Sequence, residues 1–174
     1  NDPALAFAAF LEAGHDAVAP GSPSAFREAL AAVEVDELTD AVLTARALST
    51  PAETAAEAWA ELARARRDRR APSALILEAL AEALDATPER EDLVLMARRA
   101  GETDPAGLRE VLVRTLRAAE RRARPADAAA RALLETTPIS PEFALVRLYA
   151  IEQAQAHGLL EADAAGEAKA SVAG

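Results

Sequence analysis

Cysteine is absent from this chain, which excludes disulfides, thiolate metal sites, thiol nucleophiles and iron–sulfur clusters. Aromatic residues are scarce. Four Phe, one Trp and one Tyr make up 3% of the sequence and leave little for stacking on nucleic-acid bases. Glycine is low at 7 residues, and no glycine-rich loop follows a strand to cradle phosphate. No apolar run approaches the ~18–20 residues of a membrane span. Lysine is nearly missing: Lys169 stands alone beside 18 arginines, as a GC-rich bacterial genome would encode. A signal peptide with a basic start and apolar middle is also missing. The expectation is a cytoplasmic protein, with secretion left open because the chain begins at Asn1 without Met.

What remains is a helix-forming alphabet. Apolar residues make up 51%, mostly Ala and Leu, joined by Glu and Arg. All four lose little rotamer freedom in a helix. The apolar content is too high and the 28% of charged residues too balanced for disorder. No segment alternates apolar and polar residues as a half-buried strand would.

A small polar residue recurrently precedes proline, as at Asp2-Pro3, Ser22-Pro23, Thr50-Pro51, Thr87-Pro88, Asp104-Pro105 and Ser140-Pro141. The polar side chain suits the free amides of a first turn, and proline suits the first helical position, so each pair predicts a helix start. Glu53 completes a capping box with Thr50. Ala71-Pro72 and Arg124-Pro125 mark two further starts, while Gly14, Gly101 and Gly158 stand where helices should end. The helices expected are about 3–13, 23–33, 36–48, 51–70, 73–86, 88–100, 105–123, 126–135 and 141–157. The predicted fold is all-α. It is a single-domain helical bundle or short α–α superhelix of about nine antiparallel helices over residues 1–161. Residues 162–174 form an Ala/Gly/Glu-rich tail, either a short helix or a frayed end.

Alternate prolines, such as Pro51, Pro88 and Pro125, stand 33–37 residues apart, the period of paired-helix repeats. Residues 56–88 resemble a tetratricopeptide unit in Trp59, Leu62, Ala63 and Pro88. They place Arg66 and Arg70 where an aromatic and a glycine belong, and no second unit repeats Trp59. Any antiparallel stack of helices with short turns gives the same spacing.

Charge is unevenly spread. Residues 1–61 carry −9, residues 62–124 carry +3 and residues 125–174 carry −4, for a net −10. Such a balance opposes nucleic acid and anionic membranes as partners. Five arginines crowd positions 64–70, among them Arg66, Arg67, Arg69 and Arg70. Nothing larger than Ala is apolar after Leu62 in that helix, so the run reads as a solvated helix end. The alternative is a patch that docks on acid, including this chain's own N-terminal third. A second basic stripe, Arg114, Arg117, Arg121 and Arg124, lies opposite Leu108, Val111, Leu112 and Leu116.

Other constellations have plainer readings. Glu12 and His15 have the spacing of half a di-iron site, but Gly14 puts His15 at a terminus and no second copy exists. Glu34–Glu37 and Glu89–Asp92 cluster acids, as pyrophosphohydrolases do, yet both fall at helix starts, where acids favour the dipole. Residues 140–151 loosely suggest a recognition helix, but the turn before them is long and Arg147 stands alone on an apolar surface. Apolar residues surround the axis of that helix, so it should be the most buried. Arg147 should then reach a carboxylate or carbonyl oxygens inside the fold, or snorkel its head to the rim along its aliphatic stem. No catalytic set, metal or cofactor is implied. The function expected is a non-enzymatic protein–protein interaction domain, whose partner is another protein or a second copy. The alternative is a small-molecule or catalytic pocket near Arg147 and Tyr149, and third comes weak nucleic-acid binding through arginines.

Overall fold

The structure, a computed structural model, describes residues 35–173. The two helices expected at 3–13 and 23–33, Gly14, and the Glu12/His15 pair lie outside them. The described chain is all-helical. Its elements are α1 (Val35–Ser49), α2 (Ala52–Asp68), α3 (Ser73–Ala86), α4 (Glu91–Ala100), α5 (Pro105–Arg122) and α6 (Asp127–Thr136). A 3-10 turn (Pro141–Phe143) then leads into α7 (Ala144–Ala156) and α8 (Ala162–Ala173). The C-terminal tail is thus a short helix, packed on α7 through the buried Ala165.

Neighbours in sequence pack as neighbours in space: α1 on α2, α2 on α3, α5 on α6, α6 on α7 and α7 on α8. Helix α3 is central, touching α2, α4 and α5. Its residues Ile76, Leu77, Ala79, Leu80, Ala81, Ala83 and Leu84 are all buried. Leu62 of α2, Leu93 of α4, Leu112 and Leu116 of α5 and Leu133 of α6 close the same core. Each such leucine contributes about 1.5–3 kcal/mol by leaving water. The most buried helix is therefore α3, not the one expected at 141–157. Helix α7 buries Ala150, Ile151 and Ala154 and leaves Leu145 83% exposed. Its main neighbours are α6 and α8, so apolar residues all around its axis are not matched by helices all around it.

The polar–proline pairs divide in two. Asp104 caps α5 as expected: its Oδ1 accepts from the Gly107 amide at 2.9 Å, with Pro105 in the first turn. Thr50 and Thr87 instead finish the preceding helix. Thr50 Oγ1 donates to the Arg46 carbonyl at 2.6 Å, and Thr87 Oγ1 to that of Ala83 at 2.9 Å. Both are four-back bonds that compete with capping. Helix α2 consequently starts without a side-chain cap, and α4 starts at Glu91, three residues after the buried Pro88. No side-chain bond caps the turn after Ser140 either.

Candidate interaction groove

Helix α5 buries Leu108, Val111, Leu112, Leu116 and Ala119 and turns its arginines outward. The 3-10 turn, set by Pro141, lays the Phe143 ring under Arg109, whose guanidinium carbon stands 4.6 Å from the ring centre. This is cation–π distance. Ala106 and Val113 of α5, with Phe143 and Val146, make an apolar floor. Around it stand Arg109, Arg114, Arg117 and Arg121, with Glu110 and Asp85 among them. The groove so formed encloses about 580 Å³. A smaller hollow of about 310 Å³, lined by Leu77, Glu78, Asp104 and Gly107, adjoins it and shares Glu110 and Arg114.

The charges around the groove are unequal. Glu78, Glu82 and Asp85 recur at helical spacing along the outer face of α3 and take guanidiniums from both neighbours. Arg66 of α2 reaches Glu78 at 3.4 Å, and Arg114 of α5 reaches Glu82 at 2.7 Å. Asp85 alone serves three: Arg121 at 2.9 Å, Arg122 at 3.3 Å and Arg114 at 3.7 Å. Three guanidiniums facing Asp85 and Glu82 leave one positive charge in excess there. Arg109 has a ring as its partner, and Arg117 makes no ion pair or hydrogen bond with the described residues. Arg117 does act on Tyr149, where it favours the ionised phenolate. Burial outweighs that influence and, with Glu120 adding to it, pushes the Tyr149 hydroxyl up to about 12.

The structure brings Arg117 and Arg121 together in the groove and distributes the other candidates elsewhere. Arg66 is 5% exposed, so the run at positions 64–70 is not simply a solvated end. Its Nε and Nη2 pair with the two oxygens of Asp40 in α1 at 2.9 and 2.8 Å, and Nη1 donates to the Leu75 carbonyl at 2.6 Å. Arg69 reaches the same Asp40 at 2.8 Å. Acid from the N-terminal third thus meets this run within the chain. Hydrogen bonds from Arg66 hold the Asp40 carboxyl below the usual carboxylate range. Arg67 pairs with its neighbour Asp68 at 2.8 Å and is exposed, as is Arg70, which closes the helix in the left-handed region at φ 58°.

Arg147 lines neither of these two hollows. It donates to the Leu134 carbonyl and, at 2.9 Å, to that of Thr137, at the C-terminal end of α6. Carbonyl oxygens were one of its two expected partners. Tyr149 faces Glu120, whose carboxylate also takes Gln153 at 2.7 Å. Of the acid clusters, Glu89 pairs with Arg124 at 3.1 Å, and Arg90 holds the Asp92 carboxyl below its usual range. Among the described residues no three His, Asp or Glu side chains gather to hold a metal ion, and no helix is long and apolar enough to cross a membrane.

Sequence reasoning had missed Asp40, Asp85, Arg109 and Phe143. The only trace of the first two was the acidic pattern on α1 and α3. Phe143 and Arg109 lie 34 positions apart, and nothing local announces their meeting. Compared with family models, with curated proteins and with solved structures, the chain matches none.

Proposed function

We propose that this chain is a non-enzymatic protein–protein interaction domain, and that the groove between α5 and the start of α7 is its contact surface. The observation that carries the reading is the pairing of an apolar floor with guanidiniums left short of internal carboxylates. Apolar floors supply area, and arginines at the rim supply direction, the mix found where proteins meet proteins. The sequential packing of the helices supports this reading, since α5 and α7 both pack on α6, which spaces the two walls of the groove. A pocket at Arg147 and Tyr149 has less in its favour, since one donates to backbone carbonyls and the other faces Glu120.

The test is photo-crosslinking in the native host from a photoreactive side chain replacing Val113, with Arg131 on α6 as the exposed control. The expected outcome is discrete adducts from position 113 that disappear on Arg117→Glu. Equal adducts from both positions, or none from 113, would refute the reading.

A further inference from the structure

The arginines around the groove differ in how they are satisfied, and that difference specifies an occupant. We infer that the groove takes an acidic, amphipathic segment of a partner protein, seating an apolar side chain on Phe143, Val113 and Val146 and its carboxylates on Arg109 and Arg117. The inference rests on the groove being the contact surface and adds the chemistry of what it binds.

Three observations carry it. Arg117 is exposed and unpaired among the described residues, so an incoming carboxylate has no internal ion pair to break. Arg109 lies over the Phe143 ring, which holds its planar fork in place and leaves its edge donors open. Asp85, three times engaged, repels little from the far end, because its charge is already outnumbered. The lining sets four guanidiniums against two carboxylates, Glu110 and Asp85, so complementarity of sign selects an acidic segment over a cationic one. Nucleic acid fits less well. The aromatic ring that lines the groove has a face covered by Arg109, which leaves little for bases to stack on.

Fluorescence anisotropy with three labelled peptides tests this. Each has about 14 residues, ~21 Å as a helix, with leucines at helical spacing and Glu, Gln or Lys elsewhere. The Glu/Leu peptide is expected to bind about tenfold or more tightly than the Gln/Leu peptide, to weaken with salt, and to lose about tenfold on Arg117→Glu. The Lys/Leu peptide is expected not to bind. Phe143→Ala should weaken the Gln/Leu peptide, which reports the apolar half, and should weaken the Glu/Leu peptide at least as much because it also releases Arg109. Circular dichroism of Arg117→Glu should be unchanged, because that side chain has no bond to the described residues to lose.

If the Gln/Leu peptide binds as well as the Glu/Leu peptide and depends on Phe143, the contact surface stands and the acidic occupant is wrong. If no peptide binds, or binding ignores both substitutions, both readings fall. Single-stranded DNA bound more tightly than the Glu/Leu peptide, with the same Arg117 dependence, would overturn the protein occupant in favour of nucleic acid. Concentration-dependent dimerisation abolished by Arg117→Glu would overturn it in favour of a second copy.

Discussion

Arg66 and Asp40 meet through two parallel contacts, Nε to Oδ1 at 2.9 Å and Nη2 to Oδ2 at 2.8 Å, across 26 residues of sequence. The fork fastens α1 to the end of α2, while the third nitrogen, Nη1, reaches the first turn of α3. One buried guanidinium thus joins three helices. Removing Arg66 takes away the fork and the bond to the Leu75 carbonyl and leaves Asp40 to Arg69 alone, so Arg66→Ala should cost about 3 kcal/mol in urea unfolding. Arg67→Glu, three positions along the same exposed-looking run from Arg64, should stay within about 0.5 kcal/mol. Equal costs for the two would show that the internal pairing carries no stability.

The same pair sets an acid response. Asp40 has its carboxyl lowered from 3.8 in the folded chain, chiefly by hydrogen bonding from Arg66. A depressed carboxylate contributes stability that is present above the unfolded value and lost as pH falls through the folded one. Stability should therefore decline as pH drops below about 4, and Asp40→Asn should flatten that part of the profile. Thermal melts across acidic pH read this directly. An acid limb of identical slope in Asp40→Asn would contradict it.

Arg147 takes over the end of α6, where carbonyls lack intrahelical partners and a cation suits the dipole. Its partners are neutral oxygens and its side chain is partly exposed, so Arg147→Ala should destabilise by about 1–3 kcal/mol. An unaltered melting midpoint would show that water replaces the guanidinium at no cost.

Two backbone positions should respond oppositely to exchange of glycine and alanine. Gly101 ends α4 in ordinary right-handed geometry, not the left-handed turn its identity suggests. Space explains it: a Cβ there would stand 2.5 Å from Leu108 Cβ. Gly101→Ala should cost about 1–3 kcal/mol by overpacking. Ala123 ends α5 in the left-handed region at φ 50°, which penalises any side chain. Ala123→Gly should raise stability by about 0.5–1 kcal/mol. Denaturant midpoints moving in the same direction for both variants would refute the assignment.

Helix existence was legible because Ala, Leu, Glu and Arg favour helix wherever they stand, and Asp104-Pro105 marked its boundary correctly. The starts after Thr50 and Thr87 were misplaced for a definite reason: a hydroxyl bonds equally well back to the preceding helix, and sequence spacing does not say which. Arg66 read as solvated because its helix lacks apolar residues beyond Leu62, while the acid that buries it lies in another helix. The second basic stripe was visible in part. Arg117 and Arg121 emerged from the helical period of α5, but the floor beneath them depends on Phe143 arriving from a distant turn.

The central claim is that this groove is where the chain meets an acidic partner, and the most direct measurement is an amide chemical-shift titration with the Glu/Leu peptide. The account predicts saturable shifts confined to Ala106, Arg109, Val113, Arg117, Phe143 and Val146 and to their immediate neighbours. Shifts centred on Arg67 and Arg70 at the end of α2, or none at saturating peptide, would contradict it.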